Sequence, residues 1–303
     1  MTGPIAFTGA TGFIGTSLLK ELCGLNLKIR ALTRRPRTDD GNIQWITGDM
    51  HNLESLKRLV QGVHAVIHCA GVVRGHTRDE FVHANVEGTT NLMGLLTELD
   101  PHPHLLFISS LAAREPQLSW YASSKRLAEQ QVIQRSGTMP WTIFRPTAVY
   151  GPGDRELKPL FRTMQRGILP VIGDPENRIS LLYIDDLVAA IKYWITAPNP
   201  VRGTYELADG TAGGYDYYGL AGIAREVWRK PVRVIPFPAV IAYLIAGMNL
   251  MLAKIFRYAP MLTPGKVREL THPDWRCDNA AVEQAMPGWH PQVRFREGLP
   301  RSA

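Results

Sequence analysis

The amino-acid sequence predicts an α/β fold, a doubly wound parallel β-sheet with a smaller C-terminal lobe. Three observations support this prediction. A glycine-rich turn joins a strand pattern to a helix pattern at residues 8–15, and short apolar runs alternate with helical patterns up to residue 150. Frequent Gly and Pro then divide the rest of the chain into short pieces. The 303 residues are enough for two such units.

The glycine-rich turn has the sequence Thr-Gly-Ala-Thr-Gly-Phe-Ile-Gly. A buried strand pattern precedes it at residues 4–7, and apolar residues at helical spacing follow it. Its glycines at positions 9, 12 and 15 leave room for the pyrophosphate of a dinucleotide to lie against a helix N-terminus. The turn therefore predicts a Rossmann-type nucleotide-binding domain. The alternative is a tightly packed glycine turn that binds no ligand.

Strand patterns recur through the first half of the chain, at residues 4–7, 28–32, 43–45, 65–69, 105–109 and 142–144. Helical patterns mostly separate them, as is typical of a parallel sheet covered on both faces. The carboxyl ends of such strands meet at one edge, where ligands bind. We therefore assign residues 1–150 to an NAD(P)-binding Rossmann domain with its site at that edge.

Residues 151–303 are expected to form mainly a smaller, substrate-binding lobe. Two segments are expected to return to the first domain. Residues 179–197 have the pattern of a strand followed by a helix, with Asp185 and Asp186 as the helix N-cap. Residues 204–208 have the pattern of a further strand.

Residues 239–253 form a strongly apolar stretch that is followed by Lys254 and Arg257. Fifteen residues are too few for an ordinary transmembrane span. Three interpretations remain open: a core helix, the wall of an apolar substrate pocket, or a helix that lies on a membrane with its basic residues at the headgroups.

Composition is ordinary for a soluble enzyme, with 45% hydrophobic and 20% charged residues. The formal net charge of +7 favours an anionic cofactor, an acidic substrate or peripheral contact with an anionic membrane. No nucleic-acid partner is expected, because aromatic and basic residues do not interleave. Three widely spaced cysteines predict a reducing compartment and no metal site. Because a strand pattern rather than a signal peptide begins the chain, we expect a cytoplasmic location.

Tyr121 and Lys125 lie on one face at the start of a predicted helix. The charge of the lysine is expected to lower the pKa of the phenol, which would then exchange a proton with a substrate. Ser109 and Ser110 follow a strand pattern and place a hydroxyl at the same sheet edge. A hydroxyl, a phenol and a lysine suit hydride transfer to or from a carbinol. The alternative is that the serines only cap the strand.

These features together resemble the extended branch of the short-chain dehydrogenase/reductase superfamily, which includes NAD-dependent epimerases and dehydratases. The resemblance covers nearly the whole chain. Besides the glycine turn and the Tyr–Lys pair, the similar segments are residues 48–50, 68–71, 145–154, 183–187, 289–291 and 296–299, together with Asn85.

The resemblance implies a role for each residue of the candidate site. Tyr121 would be the general acid or base, Lys125 would hold Tyr121 and the nicotinamide ribose, and Ser110 would bind the substrate oxygen. Asn85 would support a proton-relay water. The loop after the serine departs from the family pattern, since it is short and lacks the usual Tyr-Gly. Ser109 therefore stays open as an alternative to Ser110.

The expected cofactor contacts surround the predicted sheet edge. Asp49 and Met50 would lie beside the adenine, and Pro146 and Thr147 beside the nicotinamide. The complete predicted set is Gly9, Thr11, Gly12, Phe13, Ile14, Gly15, Arg34, Asp49, Met50, Cys69, Ala70, Gly71, Tyr121, Lys125, Pro146 and Thr147.

Arg34 favours NADP over NAD as the cofactor. An acidic residue about 20 positions after the last glycine normally binds the adenosine ribose of NAD. The position 19 residues after Gly15 is Arg34, whose guanidinium can bind a 2′-phosphate through two hydrogen bonds. NAD stays an alternative if Arg34 only stacks on the adenine.

These observations predict an NADPH-dependent reductase of a ketone or alcohol substrate. One alternative is a nucleotide-sugar epimerase with retained NAD, whose diphosphate would be bound by a cation such as Arg162, Arg178, Arg268 or Arg276. The other is a non-catalytic, NADPH-binding subunit that resembles the accessory subunit of respiratory complex I. The substrate is expected to be an apolar carbonyl compound or a nucleotide sugar. A homodimer through helices of the Rossmann domain is typical of the family.

Overall fold

The computed structural model describes residues 3–25, 27–198 and 200–302. The strands of these residues are β1 (Ile5–Thr8), β2 (Ile29–Thr33), β3 (Ile43–Thr47), β4 (Ala65–His68), β5 (His104–Ile108), β6 (Trp141–Pro146), β7 (Ala148–Tyr150), β8 (Ile168–Ile172), β9 (Arg178–Ile179), β10 (Leu181–Tyr183), β11 (Gly203–Leu207), β12 (Arg233–Phe237) and β13 (Asp274–Trp275).

The α-helices of the same residues are α1 (Phe13–Cys23), α2 (Leu53–Val60), α3 (Arg78–Phe81), α4 (Gly88–Leu96), α5 (Trp120–Arg135), α6 (Lys158–Gln165), α7 (Ile184–Thr196), α8 (Tyr217–Trp228), α9 (Ala239–Phe256), α10 (Pro264–Thr271), α11 (Ala280–Ala285) and α12 (Phe295–Gly298). A π-helical turn (Val82–Glu87) joins α3 to α4, and 3-10 turns occupy Leu111–Arg114 and Leu299–Arg301.

A seven-stranded parallel sheet forms the centre of the fold, in the order β11-β6-β5-β4-β1-β2-β3. Helices cover both faces, which confirms the predicted α/β class. Side chains of β1 alternate between the two faces, as a strand requires. Ile5 and Phe7 belong to one hydrophobic cluster with Leu18 of α1, whereas Ala6 belongs to a second cluster with Leu92 of α4.

The glycine turn after β1 packs backbone against backbone. Gly9 has a φ of 78°, and a Cβ there would lie 2.5 Å from the carbonyl carbon of Cys69. A Cβ on Gly15 would collide with the carbonyl oxygen of Gly9. Two of the three glycines are therefore required by the packing of β1, α1 and the residues after β4, with or without a ligand.

The later part of the chain contributes to both units of the fold. Helix α7 packs against α1, and β11 pairs with β6 in the main sheet. Two further pairs of strands, β10 with β7 and β9 with β13, form separate two-stranded sheets. The remaining elements, including the β8–β12 pair and helices α8 to α10, form the smaller lobe.

The prediction that Asp185 and Asp186 form the N-cap of α7 is wrong. The helix begins at Ile184, before both aspartates, and its N-cap residue Tyr183 makes no side-chain cap. The Asp186 carboxylate instead accepts hydrogen bonds from the backbone N–H groups of Gln292 and Val293, at 2.8 and 2.9 Å. Asp186 therefore fixes the C-terminal segment against α7 rather than starting the helix.

Helix α9 is not a core helix. It has 18 residues, three more than the apolar stretch recognised in the sequence, and its buried residues are Ala242, Ala246 and Ala253. Its larger apolar side chains are mostly exposed. The interpretation as core is therefore wrong, because the helix packs through its small residues and turns its large ones to solvent.

We expect Gly15→Ala to destabilise the protein by about 2–4 kcal/mol, since the added methyl group forces the turn away from α1. Gly94→Ala is the matched control. Nothing lies within 4 Å of a Cβ at this position in α4, and alanine there should stabilise the helix by about 0.5–1 kcal/mol. Denaturant unfolding of both variants measures the difference. Equal midpoints would contradict the packing role of Gly15.

Candidate active site

The carboxyl ends of β1, β4, β5 and β6 meet at one edge of the sheet because all four strands are parallel neighbours. The glycine turn, residues 69–71, Ser110 and Thr147 follow these strands directly. Most of the predicted site residues therefore lie along this edge. Arg34, Asp49 and Met50 follow β2 and β3 further along it.

The N-terminus of α1 can bind an anion. Gly12 is exposed, and a Cβ there would meet only the carbonyl oxygen of Gly9, at 3.3 Å. No side chain of the residues that the structure describes caps the helix, and its first turn contains no acidic residue. The first N–H groups of α1 therefore remain available to a phosphate. This open position, rather than the packed Gly9 and Gly15, is the evidence for a ligand at the turn.

The structure separates the two candidate serines. The Ser110 side chain lies beside the Tyr121 phenol, whose pKa it lowers, and its oxygen accepts a hydrogen bond from the backbone N–H of Ala112 at 3.2 Å. Ser109, which is 5% exposed, donates to Glu129 Oε1 at 2.5 Å. Neighbouring side chains of an extended strand point to opposite faces. Ser110 therefore faces the phenol, and Ser109 faces the interior.

Glu129 explains why Ser109 is held away from the site. This carboxylate is 1% exposed and accepts two hydrogen bonds from Arg145, at 2.9 and 2.6 Å. The contact raises the pKa of the Arg145 guanidinium. Ser109 is thus one donor to a buried ion pair, and Glu129 is a structural residue that the sequence analysis did not identify. No local pattern indicates it, because Arg145 lies on another element.

Tyr121 is a neutral phenol in this structure. Burial raises the pKa of Tyr121 to about 12, and the Ser110 side chain opposes this shift. The expectation that Lys125 lowers this pKa is wrong here, since the loss of hydration dominates and the lysine donates elsewhere. At neutral pH the phenol keeps its proton and is ready to give it to a substrate.

Lys125 is buried beneath the site and is 6% exposed. Its Nζ donates to the carbonyl oxygen of Ile108 at 2.8 Å and lies 4.7 Å from the centre of the Phe107 ring. Burial lowers the pKa of Lys125 to about 8. Ile108 is its hydrogen-bond partner within the described ranges, so two of its three N–H groups are left to bind another molecule.

Asn85 holds the loop after β4 beside Lys125. Its Oδ1 accepts from the backbone N–H of Val72 at 2.7 Å, and its Nδ2 donates to the Val72 carbonyl and to Ser124 Oγ, at 3.1 and 2.8 Å. A Cβ on Gly71 would lie 2.9 Å from Asn85 Oδ1 and 3.9 Å from Lys125 Nζ. Both amide hydrogens are used inside the protein, so the side chain of Asn85 positions the site.

A buried polar chain connects this asparagine to β1. Thr89 Oγ1 donates to the Asn85 carbonyl at 2.6 Å, so His68 Nε2 must donate to Thr89, at 2.9 Å. His68 Nδ1 then accepts from Thr8 Oγ1 at 2.6 Å. Burial lowers the pKa of His68 to about 3, in agreement with a neutral ring. The sequence analysis did not assign His68 and Thr89 to the site; Thr89 lies one helical turn after Asn85.

Thr147 carries an unused hydroxyl at the end of β6. It is 7% exposed, and its Oγ1 has no hydrogen-bond partner among the described residues, although its backbone N–H donates to the Leu207 carbonyl at 3.0 Å. Buried hydroxyls are normally paired. An unpaired one at this edge is consistent with a bound cofactor, as are the open helix N-terminus and the free donors of Lys125.

The far end of the edge contains the residues predicted to bind the adenosine. Arg34 is exposed, and its side chain makes no hydrogen bond or ion pair within the part of the chain that the structure describes. Asp49 Oδ1 accepts from the backbone N–H groups of His51 and Asn52, at 2.8 and 3.0 Å. Met50 is buried, so its contact with a cofactor is limited to its backbone or a small part of its side chain.

No metal site was expected, yet one group of possible ligands comes together. One possible ligand atom each of His51, His83 and Glu87 lies within 4.8 Å of the others, and the group is at the protein surface. The two imidazole rings stack at 3.7 Å, and His83 Nδ1 lies 2.8 Å from Glu87 Oε2. These contacts account for the group without an ion.

The fold and this site define a class of protein, the nucleotide-cofactor oxidoreductases with a Ser–Tyr–Lys site. Residues 5–208 match the NAD dependent epimerase/dehydratase family. The chain belongs to this family, within the extended short-chain dehydrogenases/reductases, and is an NAD(P)-dependent oxidoreductase.

Two curated relatives are reductases by name. The chain is 34% identical to Ceramide reductase of Caulobacter vibrioides, with 94% of this chain and 89% of the relative covered. It is 28% identical to 2-alkyl-3-oxoalkanoate reductase of Stenotrophomonas maltophilia, with 98% and 97% covered. Neither name describes the non-catalytic subunit that was considered as an alternative.

The solved structure of UDP-glucuronic acid 4-epimerase from Bacillus cereus, in complex with NAD, has the same fold. The TM-score is 0.76 at 18% identity, with 99% of this chain and 97% of that chain covered. At this identity the likeness concerns the fold alone.

Exchange of each serine for alanine separates their roles. We expect Ser110→Ala to lower kcat by about a hundredfold, since the substrate oxygen loses a hydrogen-bond donor. Ser109→Ala should keep most of the turnover and lower the melting temperature instead, because a buried carboxylate loses a partner. Steady-state kinetics and thermal unfolding of both variants measure these effects. If Ser109→Ala lost turnover and Ser110→Ala lost only stability, Ser109 would be the reacting hydroxyl.

Proposed function

We propose that this protein uses NADPH to reduce an oxo group on a substrate with a long alkyl chain. The observation that carries the proposal is the meeting of Ser110, Tyr121 and Lys125 at the sheet edge beside the open N-terminus of α1. Both reductase relatives are named for substrates with alkyl chains, and they match this chain over most of its length.

The site residues divide the proton chemistry between them. When bound, NADPH supplies the hydride that adds to the carbonyl carbon. Ser110 donates a hydrogen bond to the carbonyl oxygen, and Tyr121 gives that oxygen its proton. The raised pKa of Tyr121 suits this direction, because the resting phenol is protonated at neutral pH. Lys125, through its two remaining N–H groups, holds the cofactor ribose beside the phenol.

The choice of NADPH rests on Arg34. This guanidinium is exposed at the end of β2, where the adenosine ribose of a dinucleotide lies in this fold. It cannot accept a hydrogen bond from a 2′-hydroxyl, but it can donate two to a 2′-phosphate. Arg34 makes no side-chain contact that would need to break, as far as the described residues show.

The nucleotide-sugar alternative has less support. Of the arginines considered for binding a diphosphate, Arg178 pairs with Asp216, Arg276 pairs with Asp274, and Arg268 donates to the Leu118 carbonyl. Each of these cations would have to leave a partner in order to bind a diphosphate. Arg162 is exposed on α6. We therefore favour a substrate with an alkyl chain over a nucleotide sugar.

Tyr121→Phe tests the reaction. We expect kcat to fall by about a hundredfold or more, because the variant cannot give a proton to the oxygen. Affinity for NADPH should be nearly unchanged, since the phenyl ring keeps its contact with Phe81, whose ring lies 6.4 Å away. NADPH oxidation with long-chain oxo substrates and a fluorescence titration measure the two quantities. Full turnover by the variant would rule out Tyr121 as the acid.

Arg34→Ala tests the cofactor. We expect NADPH to bind about tenfold or more weakly, because a charge-assisted contact with the 2′-phosphate is lost. NADH binding should change little. Arg135→Ala, at the exposed end of α5, is a control with the same change in net charge. An equal loss for NADPH and NADH would refute the assignment of Arg34 to the 2′-phosphate.

A further inference from the structure

Helix α9 packs on the protein through one narrow stripe of side chains. Ala242, Ala246 and Ala253 are fully buried, and Asn249, on the same stripe, donates from Nδ2 to the Leu262 carbonyl at 2.8 Å. These residues are spaced by four, three and four positions, so they lie along one side of the helix. Ala242 and Ala246 pack in a small cluster with Val267 of α10.

The opposite side of α9 is large, apolar and uncovered. Its most exposed side chains lie between 59% and 72% in solvent and are Val240, Leu244, Met248, Met251 and Ile255. A helix of a soluble domain normally turns its large apolar residues inward and its small or polar ones outward. A continuous apolar surface of this kind marks a place where another molecule binds.

The net positive charge of the chain is carried by the sequence segment that contains this helix. Residues 229–268 contain no Asp or Glu but seven basic residues: Arg229, Lys230, Arg233, Lys254, Arg257, Lys266 and Arg268. Removing these seven from the 34 basic residues of the chain leaves 27, the same as the number of acidic residues. The rest of the protein is therefore balanced, and the formal net charge of +7 arises from this segment alone.

We infer that α9 docks this protein on an anionic lipid bilayer, with its apolar face in the acyl region and the surrounding cations at the headgroups. At about 100° per residue, Lys254 lies on the flank between the buried stripe and the apolar face, where its ammonium reaches the headgroups. The helix lies in the plane of the interface. It does not span the bilayer, because Ala242, Ala246 and Asn249 attach it to the body of the protein.

The charge argues for lipid rather than for a second copy of this chain. Two copies that met through α9 would bring two sets of seven cations together, and among the described residues Lys266 is the one member of each set with an acidic partner, Glu269. An anionic headgroup layer neutralises the same cations. The docking does not depend on the reaction. It adds a source for the substrate, and this addition rests on the proposed function: a long-chain oxo compound is dissolved in the same bilayer.

Co-sedimentation of the full chain with lipid vesicles tests the inference. We expect binding to vesicles of phosphatidylcholine mixed with phosphatidylglycerol, and weaker binding to phosphatidylcholine alone or at high salt. Leu244→Glu/Met251→Glu should weaken the binding by about a hundredfold, because two apolar side chains lose their place in the acyl region. Lys254→Gln/Arg257→Gln should weaken binding to the anionic vesicles by roughly tenfold. Leu53→Glu/Ile133→Glu, which alters side chains that are 49% and 46% exposed elsewhere, is the matched control.

Sedimentation velocity and turnover of a water-soluble oxo substrate complete the test. Wild-type protein that stays in the supernatant, or a Leu244→Glu/Met251→Glu variant that binds vesicles like the control, would overturn the inference. The inference would also be overturned if sedimentation velocity showed a wild-type dimer without lipid and a monomeric Leu244→Glu/Met251→Glu variant. Inactive protein that still binds vesicles overturns the proposed function alone, and active protein that never binds them overturns the docking alone.

Discussion

The close approach of the glycine turn to the residues after β4 is the constraint on which the rest of this structure depends. Gly9 and Gly15 let β1, α1 and the Cys69–Ala70 backbone pack without side chains between them. The same contact aims the N-terminus of α1 at the sheet edge. Thr8, at the end of β1, adds a hydrogen bond to His68 and accepts one from the Ala70 N–H. The anion site and the loop beside Lys125 are thus parts of one packed unit.

Polar groups near this edge fall into two kinds. In Ser109, Asn85 and His68 the side-chain donors are used inside the protein, and these residues hold backbone and charge in place. The N–H groups that open α1, the Thr147 hydroxyl and most of the Lys125 ammonium have no such partner among the described residues. Unsatisfied groups are costly in a folded protein unless a ligand binds them. Their convergence at one edge is what distinguishes a site from a structural network.

The smaller lobe contributes a second surface, which is apolar and exposed. The sheet edge with the candidate active site is polar, and hydrogen bonds fix its side chains. Helix α9 instead exposes flexible Met and Leu side chains to solvent. A surface of this kind suits a fluid apolar phase better than a shaped protein partner. The two proposals, reduction of a long-chain oxo compound and docking on lipid, are consistent with each other, because such a compound has a reactive polar group and a long apolar chain.

The sequence by itself determined the features that are set by local spacing. The strand and helix alternation, the glycine turn and the Tyr121–Lys125 pair depend only on the period of each element, so they were predictable. Only the tertiary structure decided which serine faces the phenol, because Glu129 and Arg145 come from other elements. It also raised the pKa of Tyr121, which the sequence had predicted to be lowered. Asp186 accepts a hydrogen bond from the backbone of Gln292, more than 100 residues away. The same holds for α9, whose apolar pattern is identical for a core helix and a surface helix. Burial and hydration are set by residues distant in sequence, and no local pattern encodes them.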